Sequence, residues 1–227
     1  MLQYPEIDPV IFRIGPLAVR WYGLMYLAGF AAAWGLIRFL ARRRNLALSR
    51  DDLSDLLFYA VIGVILGGRL GYVVFYNPAY FLAHPLEIPA VWQGGMSFHG
   101  GLVGVVTASL IFCRRRKVPV LALGDVVANS AAIGLGLGRL GNFINGELWG
   151  RVTDVPWGMV FPQAGLLPRH PSQIYEFFLE GVVLFCLLFW LNLRTTTKGI
   201  PLFAFFACYG LFRFLVEFVR EPDPQLG

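Results

Sequence analysis

Six apolar windows, at about 18 to 40, 53 to 76, 96 to 113, 120 to 141, 173 to 193 and 200 to 219, dominate this chain. A helix needs about 20 apolar residues, each rising about 1.5 Å, to cross the roughly 30 Å hydrocarbon layer of a bilayer. The windows meet that need, the third being short and the fourth the most polar. In hydrocarbon every backbone N–H and C=O must be paired within the protein, so such segments fold as helices. Composition agrees, since 57% of 227 residues are hydrophobic and only 15% charged, where a soluble domain carries about a quarter charged. Mean hydropathy is +0.62. The connections are short and rich in Arg, Pro and Gly, with no linker that could separate soluble domains. The expected fold is all-α: one polytopic helical membrane domain over residues 1–227, with about six transmembrane helices and a small exterior loop segment at 142–172.

The cations set the expected orientation. Connections 41 to 52, 114 to 119 and 194 to 199 hold ten of them: Arg42, Arg43, Arg44, Arg50, Arg114, Arg115, Arg116, Lys117, Arg194 and Lys198. The opposite side holds five, Arg13, Arg20, Arg151, Arg169 and Arg220. By the bias of Lys and Arg toward the cytoplasm, the richer loops are cytoplasmic and both termini of a six-span chain lie outside. The net charge of +5 follows from that topology, so no nucleic-acid partner is expected. The first twenty residues, with Glu6, Asp8 and prolines, do not read as a cleavable signal. The first span is expected to target the chain to the membrane.

Cys113, Cys186 and Cys208 are isolated in apolar windows, without CxxC or metal-ligand spacing. They read as packing residues. No metal or cofactor is expected, and a reacting thiol would have to come from a substrate.

Chemistry concentrates in residues 138 to 150, Gly-Arg-Leu-Gly-Asn-Phe-Ile-Asn-Gly-Glu-Leu-Trp-Gly, where the fourth apolar window runs out into a loop. Arg139 lies almost a full membrane thickness along that window from Val120, and Asn142, Asn145 and Glu147 follow it. A cation, two amides and an acid at one membrane surface suit recognition of a phospholipid headgroup. The same topology puts Arg69, Arg213, His99, Tyr22 and Tyr26 in the outer half of the membrane with Arg139. Glu217 follows Arg213 by four residues and shares its helix face.

Each residue also has a plainer reading. Arginines near helix ends snorkel to the interface, and for Arg69 that weighs equally with a functional role. Arg213 with Glu217 reads equally as an ion pair that fixes helix packing. Gly136, Gly138 and Gly141 surround Arg139 and allow close helix contact, which favours a protein-lined cleft for its side chain. His99 sits in Gly94-Gly-Met-Ser-Phe-His-Gly-Gly101, whose glycines favour a packed or ligand-approached site. From spacing alone, Trp21 and Tyr22 read as an aromatic belt. Gly67-Gly-Arg-Leu-Gly-Tyr72 also echoes Leu137-Gly-Arg-Leu-Gly-Asn142, either an old duplication or chance in a Gly-rich chain.

The block GRLGNFINGELWG, with RWYGLMY at 20 to 26, GGMSFHGG at 94 to 101, LPRHPSQIYE at 167 to 176 and YGLFRFLVEFVREPD at 209 to 223, closely resembles bacterial prolipoprotein diacylglyceryl transferases. The resemblance runs through the whole chain in order. It implies a transferase of the bacterial cytoplasmic (inner) membrane, active site toward the outer leaflet. Such an enzyme moves the sn-1,2-diacylglyceryl group of phosphatidylglycerol to the lipobox cysteine thiol in a prolipoprotein signal peptide. A thioether forms and glycerol phosphate leaves.

By that resemblance His99 is the candidate base and Arg139 the phosphatidylglycerol-binding arginine. Asn142, Asn145, Glu147 and Gly150 complete the signature, and Tyr22, Arg213 and Glu217 match further positions associated with activity. The candidate catalytic residues are His99, Arg139, Tyr22 and Glu147. Candidates for binding phosphatidylglycerol or its phosphate are Arg139, Asn142, Asn145, Gly150, Arg213, Glu217 and Arg69. Family members usually carry a seventh span after a segment like Glu221 to Gly227, and their exterior segment is often longer than 142 to 172. The competing reading is a small transporter or lipid-translocating protein with an arginine-lined anion site. Its polar residues would tend toward the midplane, whereas here they crowd the outer level. A non-catalytic assembly factor for envelope proteins is a further alternative, and it would tolerate loss of Arg139.

Overall fold

A computed structural model describes residues 2–5, 7–15 and 17–222. The chain begins with β1 (Leu2–Gln3) and the strands β2 (Val10–Ile14) and β3 (Leu17–Arg20), then enters α1 (Trp21–Arg43) and α2 (Arg50–Phe75). A short helix α3 (Pro78–Ala83) and two 3-10 turns lead to α4 (Phe98–Arg116) and α5 (Val120–Ile144). Beyond a loop carrying β4 (Met159–Val160) come α6 (Ser172–Glu176), a π-helical stretch Phe177–Val183 and α7 (Leu184–Arg194), and then α8 (Ile200–Glu217). From Ser172 to Arg194 the three stretches run on as one helix of 23 residues. Residues 223–227, within the segment expected to precede a seventh span, lie outside the described residues.

Among the described residues, five helices are long and apolar enough to cross a membrane: Trp21–Arg43, Arg50–Phe75, Val120–Ile144, Ser172–Arg194 and Ile200–Glu217. The third expected window forms α4, 19 residues long, but it is not one of those five. His99, Gly100, Gly101, Gly104, Thr107 and Ser109 dilute its apolar content, and three arginines close its last turn. The chain divides into two compact units, Met1–Arg44 with Gly124–Gly227, and Asn45–Leu123.

In the unit of residues 45–123, α2 starts with a capping box. Asp52 N donates to Ser49 Oγ at 3.0 Å and Ser49 N donates back to Asp52 Oδ2 at 2.9 Å, satisfying two otherwise unpaired helix-end donors. Ser97 caps α4 by accepting from Gly100 N at 3.1 Å. The two helices run antiparallel: a side chain at Gly63 would meet Ala108 Cβ at 2.8 Å, and one at Gly71 would meet Gly100 Cα at 2.8 Å. One at Gly67 would lie 2.7 Å from Gly104 Cα. Glycines every four residues bring the two backbones into contact, the small-residue packing that lipid-embedded helices use in place of a hydrophobic drive.

In the unit of residues 1–44 and 124–227, the basic-loop end is fastened by a buried carboxylate. Asp125 accepts from Arg44 Nη2 at 2.7 Å, Gly199 N at 2.9 Å and Leu202 N at 3.0 Å, and is fully buried. Arg44 also donates to the carbonyl oxygens of Thr195 and Thr197, at 2.9 and 3.2 Å. The apolar core centres on Ala132, Leu184 and Leu188, with Phe205, Tyr209 and Phe212 against them. Gly136 lets α5 approach the π-helical stretch so closely that a side chain there would lie 3.0 Å from Gly181 Cα. At the far end Tyr4 follows β1, which pairs in parallel with β4. Its hydroxyl donates a shared bond to the carbonyls of Phe143 and Ile144, at 2.7 and 2.8 Å. Both carbonyls belong to the last turn of α5, where helix-end acceptors need partners from outside the helix, and that of Phe143 also accepts from Gly146 N at 2.9 Å. Burial of this phenol pushes its pKa up.

Candidate functional site

The loop that closes α5 is built from its own polar residues. Asn142 and Asn145 each donate a side-chain N–H to the same oxygen of Glu147, at 2.9 and 3.0 Å, so the two amides orient one carboxylate. Gly146 turns the chain at φ +66°, and Leu148 takes φ +58°, a conformation that a leucine rarely adopts. Two buried side chains from α6 hold it there. Gln173 Nε2 donates to the Glu147 carbonyl at 2.6 Å and Ser172 Oγ to the Leu148 carbonyl at 3.0 Å. Gly150 is sterically required: a side chain there would run into the Val219 carbonyl and lie 2.8 Å from His170 Cβ. Asn142, Asn145, Glu147 and Gly150 thus form one hydrogen-bonded loop locked against α6.

Beside it lies a network of guanidinium and carboxylate groups. Arg139 Nε is 3.1 Å from Oε2 of Glu176 and 3.8 Å from Oε2 of Glu180, and both acids are fully buried. Arg213 Nη1 donates to the other Glu176 oxygen at 2.8 Å, and its Nη2 lies 2.9 Å from Glu217. Arg220 approaches Glu217 at 3.9 Å. Glu176 therefore joins arginines from α5 and α8. Among the described residues no hydrogen bond uses the Nη groups of Arg139, whose side chain is 18% exposed. Those two donors form a free fork of the kind that grips phosphate or carboxylate oxygens.

Tyr22 stands against the same stretch of α5. Its hydroxyl is 3.2 Å from that of Tyr26, and its ring packs so closely on Gly141 that a Cβ there would lie 2.7 Å from it. In the segment between α5 and α6, His170 Nδ1 is 3.2 Å from the Tyr175 hydroxyl, which accepts from Trp157 Nε1 at 2.7 Å. Burial lowers the His170 pKa, against the opposing pull of Asp154.

The two remaining expected residues belong to the unit of residues 45–123. His99 is the second residue of α4, just after the Ser97 cap, and faces an apolar groove between α2 and α4. Arg69 is buried and all its bonds go to backbone: Nε to Ile88, Nη2 to Glu87 and Nη1 to Gly94, at 2.7, 2.7 and 2.6 Å. The ring of Phe81 lies 5.1 Å from its guanidinium carbon. What Arg69 does here is hold the 84–95 loop that leads to His99.

Glu176 and Glu180 did not emerge from the sequence as site residues. The signal was present, two acids four residues apart at the start of an apolar window, since ionisable side chains in a membrane helix need partners. Glu176 ends the motif at 167 to 176, and Glu180 stands alone among apolar neighbours.

Fold and site together define a polytopic helical membrane protein that gathers arginines, carboxylates and amides around a rigid loop at one end of its bundle. The family model for prolipoprotein diacylglyceryl transferase matches residues 9–227, and the chain belongs to that family. It is 60% identical over 226 residues to the phosphatidylglycerol–prolipoprotein diacylglyceryl transferase of Geobacter sulfurreducens, covering 100% of this chain and 87% of the relative. It is 56% identical over 227 residues to the enzyme of that name from Coxiella burnetii and 58% over 233 residues to that from Bordetella parapertussis, with the same coverage of both chains.

Proposed function

We propose that this protein transfers the sn-1,2-diacylglyceryl group of phosphatidylglycerol to the lipobox cysteine in a prolipoprotein signal peptide, in the bacterial inner membrane with the site toward the outer leaflet. The cysteine sulfur forms a bond to the glyceryl carbon, and the bond from that carbon to the phosphate oxygen breaks. Glycerol phosphate leaves with the diacylglyceryl group held as a thioether. The thiol proton passes to a base, for which His99 is the candidate, and from there to the leaving phosphate or solvent. A free thiol titrates near 8.5, so a base or positive field beside it raises the reactive thiolate.

The observation that carries this reading is the free fork of Arg139 beside a carboxylate that also binds Arg213. Phosphate charge grows as the C–O bond breaks, and prearranged donors stabilise it without reorganising. In this reading Arg139 grips the phosphate, while Glu176 and Arg213 hold Arg139 in place. Asn142, Asn145 and Glu147 present their loop to the glycerol headgroup, and Gly150 lets it pack closely. Tyr22 lines the same cleft, Glu217 anchors Arg213, and Arg69 positions the turn before His99.

The test is transfer of labelled diacylglyceryl from phosphatidylglycerol to a lipobox peptide by the purified chain, beside Arg139→Ala. Label on the peptide cysteine, lost in the variant, supports the reading. Transfer by Arg139→Ala at the parent rate would remove the arginine from the reaction. His99→Gln with normal turnover would remove histidine from the base role.

A further inference from the structure

Glycines that seal α2 against α4 also leave a groove of about 940 Å³ along their seam. Gly63, Gly67, Gly100 and Gly104 form its floor, where the two backbones meet. Leu66, Leu70 and Val103, each more than half exposed, stand as its walls. From Phe58 to Phe75 the α2 wall runs about 26 Å at 1.5 Å per residue, close to the hydrocarbon thickness. His99 closes one end, while Tyr59 and Arg115 stand at the other.

Arg115 differs from its neighbour. Arg116 pairs with Asp52 at 3.1 Å and with Asp55, so its charge is compensated. Arg115 has no carboxylate partner among the described residues. Its Nη1 donates to the Tyr59 hydroxyl at 2.7 Å, with the ring centre 5.9 Å from the guanidinium carbon. A cation without an ion-pair partner among the described residues is thus held at the mouth of an apolar groove, the nearby Asp52 and Asp55 being taken by Arg116, and Arg114 and Lys117 add to the local positive field.

We propose that the groove binds an anionic phospholipid of the leaflet on the Arg114–Lys117 side, its phosphate on Arg115 and one acyl chain along Gly63, Gly67 and Gly104. Charge selects this occupant. A signal-peptide helix would bring its own basic start to a basic mouth, and a second copy related by an axis along the membrane normal would set Arg115 against Arg115. An anionic headgroup gains about fivefold in affinity from each such cation.

The test uses the full chain in phosphatidylcholine nanodiscs with a small share of phosphatidylserine carrying a photoreactive acyl chain, its sites of attachment mapped by mass spectrometry. Phosphatidylserine lacks the glycerol headgroup of the proposed donor, so its labelling is independent of the transfer reading. Labelling is expected on α2 and α4, to fall about fivefold in Arg115→Ala, to return in Arg115→Lys and to be blocked in Val103→Trp. Labelling unchanged in Arg115→Ala, equal labelling by a photoreactive phosphatidylcholine, or no label on α2 and α4 would each overturn the proposal. Label displaced by an unlabelled signal peptide would give the groove to that helix and overturn it as well. Diacylglyceryl transfer to a lipobox peptide is measured in parallel, in separate phosphatidylcholine discs that carry phosphatidylglycerol as donor. Label lost in Arg115→Ala with transfer intact supports a lipid site separate from the reaction.

Discussion

Arg213 donates to one oxygen of Glu176 at 2.8 Å, and the other oxygen of that carboxylate faces Arg139 at 3.1 Å. One buried acid therefore joins two cations from separate helices. Taking one partner away from a buried pair leaves charge uncompensated and costs about 3–5 kcal/mol.

Glu176→Gln keeps the shape and removes the charge that orients both guanidinium groups. A displacement of about 1 Å near the chemistry costs roughly 100-fold in rate. The expected outcome is a roughly 100-fold loss of diacylglyceryl transfer, with helical content retained by circular dichroism.

Asp125 serves stability at the opposite end. It is fully buried and accepts from Arg44, Gly199 and Leu202, so Asp125→Ala leaves the Arg44 charge without its carboxylate and strands two backbone donors. A loss of about 3–5 kcal/mol is expected, read as a lower midpoint in thermal unfolding. The protein that remains folded should transfer at the parent rate per molecule.

Gly67→Ala tests the glycine seam. Its new methyl would sit 2.7 Å from Gly104 Cα, backbone that cannot move alone. Overpacking of this kind costs about 1–3 kcal/mol. Gly134→Ala meets nothing within 4 Å, and because alanine suits a helix interior better than glycine by about 0.5–1 kcal/mol it should hold or raise the unfolding midpoint rather than lower it.

Leu148 carries φ +58°, a left-handed conformation that costs an ordinary residue roughly 1–2 kcal/mol. Leu148→Gly removes that cost and loses some chain entropy in exchange, so stability is expected to stay within about 1 kcal/mol of the parent. Leu148→Val should fall well below both, because a branched side chain tolerates this region least. Thermal unfolding of the three proteins side by side decides it.

His170 sets a pH response. Burial holds its folded pKa below the ordinary value of 6.5, so the folded chain binds the proton less readily than the unfolded one. The contribution is present above 6.5 and is lost as pH falls below it toward the folded value. Unfolding midpoints measured from pH 7.5 down to 5 should drop further for the parent than for His170→Gln.

Helix positions follow from apolar length, which the bilayer forces into helices, and the Arg213–Glu217 pair follows from spacing on one helix face. The carboxylates that meet Arg139 were not legible, because no local rule links a cation in one span to an acid in another. Nor did any spacing announce that Asn142 and Asn145 would both turn to Glu147, since that depends on a positive φ held by Ser172 and Gln173. The weakness of α4 as a span was visible in its glycines, but their use as a seam required α2 beside it.

The repeated Gly-Arg-Leu-Gly marks where sequence ends and tertiary structure begins. By itself the sequence determined that both arginines lie inside long apolar helices, flanked by glycines, where a charge must find a partner. Only the tertiary structure decided which partner. Arg69 met the carbonyls of Glu87, Ile88 and Gly94 and became a brace, whereas Arg139 met Glu176 and Glu180 and kept two donors free. The reason is physical: a guanidinium in a membrane helix takes whatever acceptors the neighbouring segments supply, and those segments are set by packing rather than by its own neighbours in the chain.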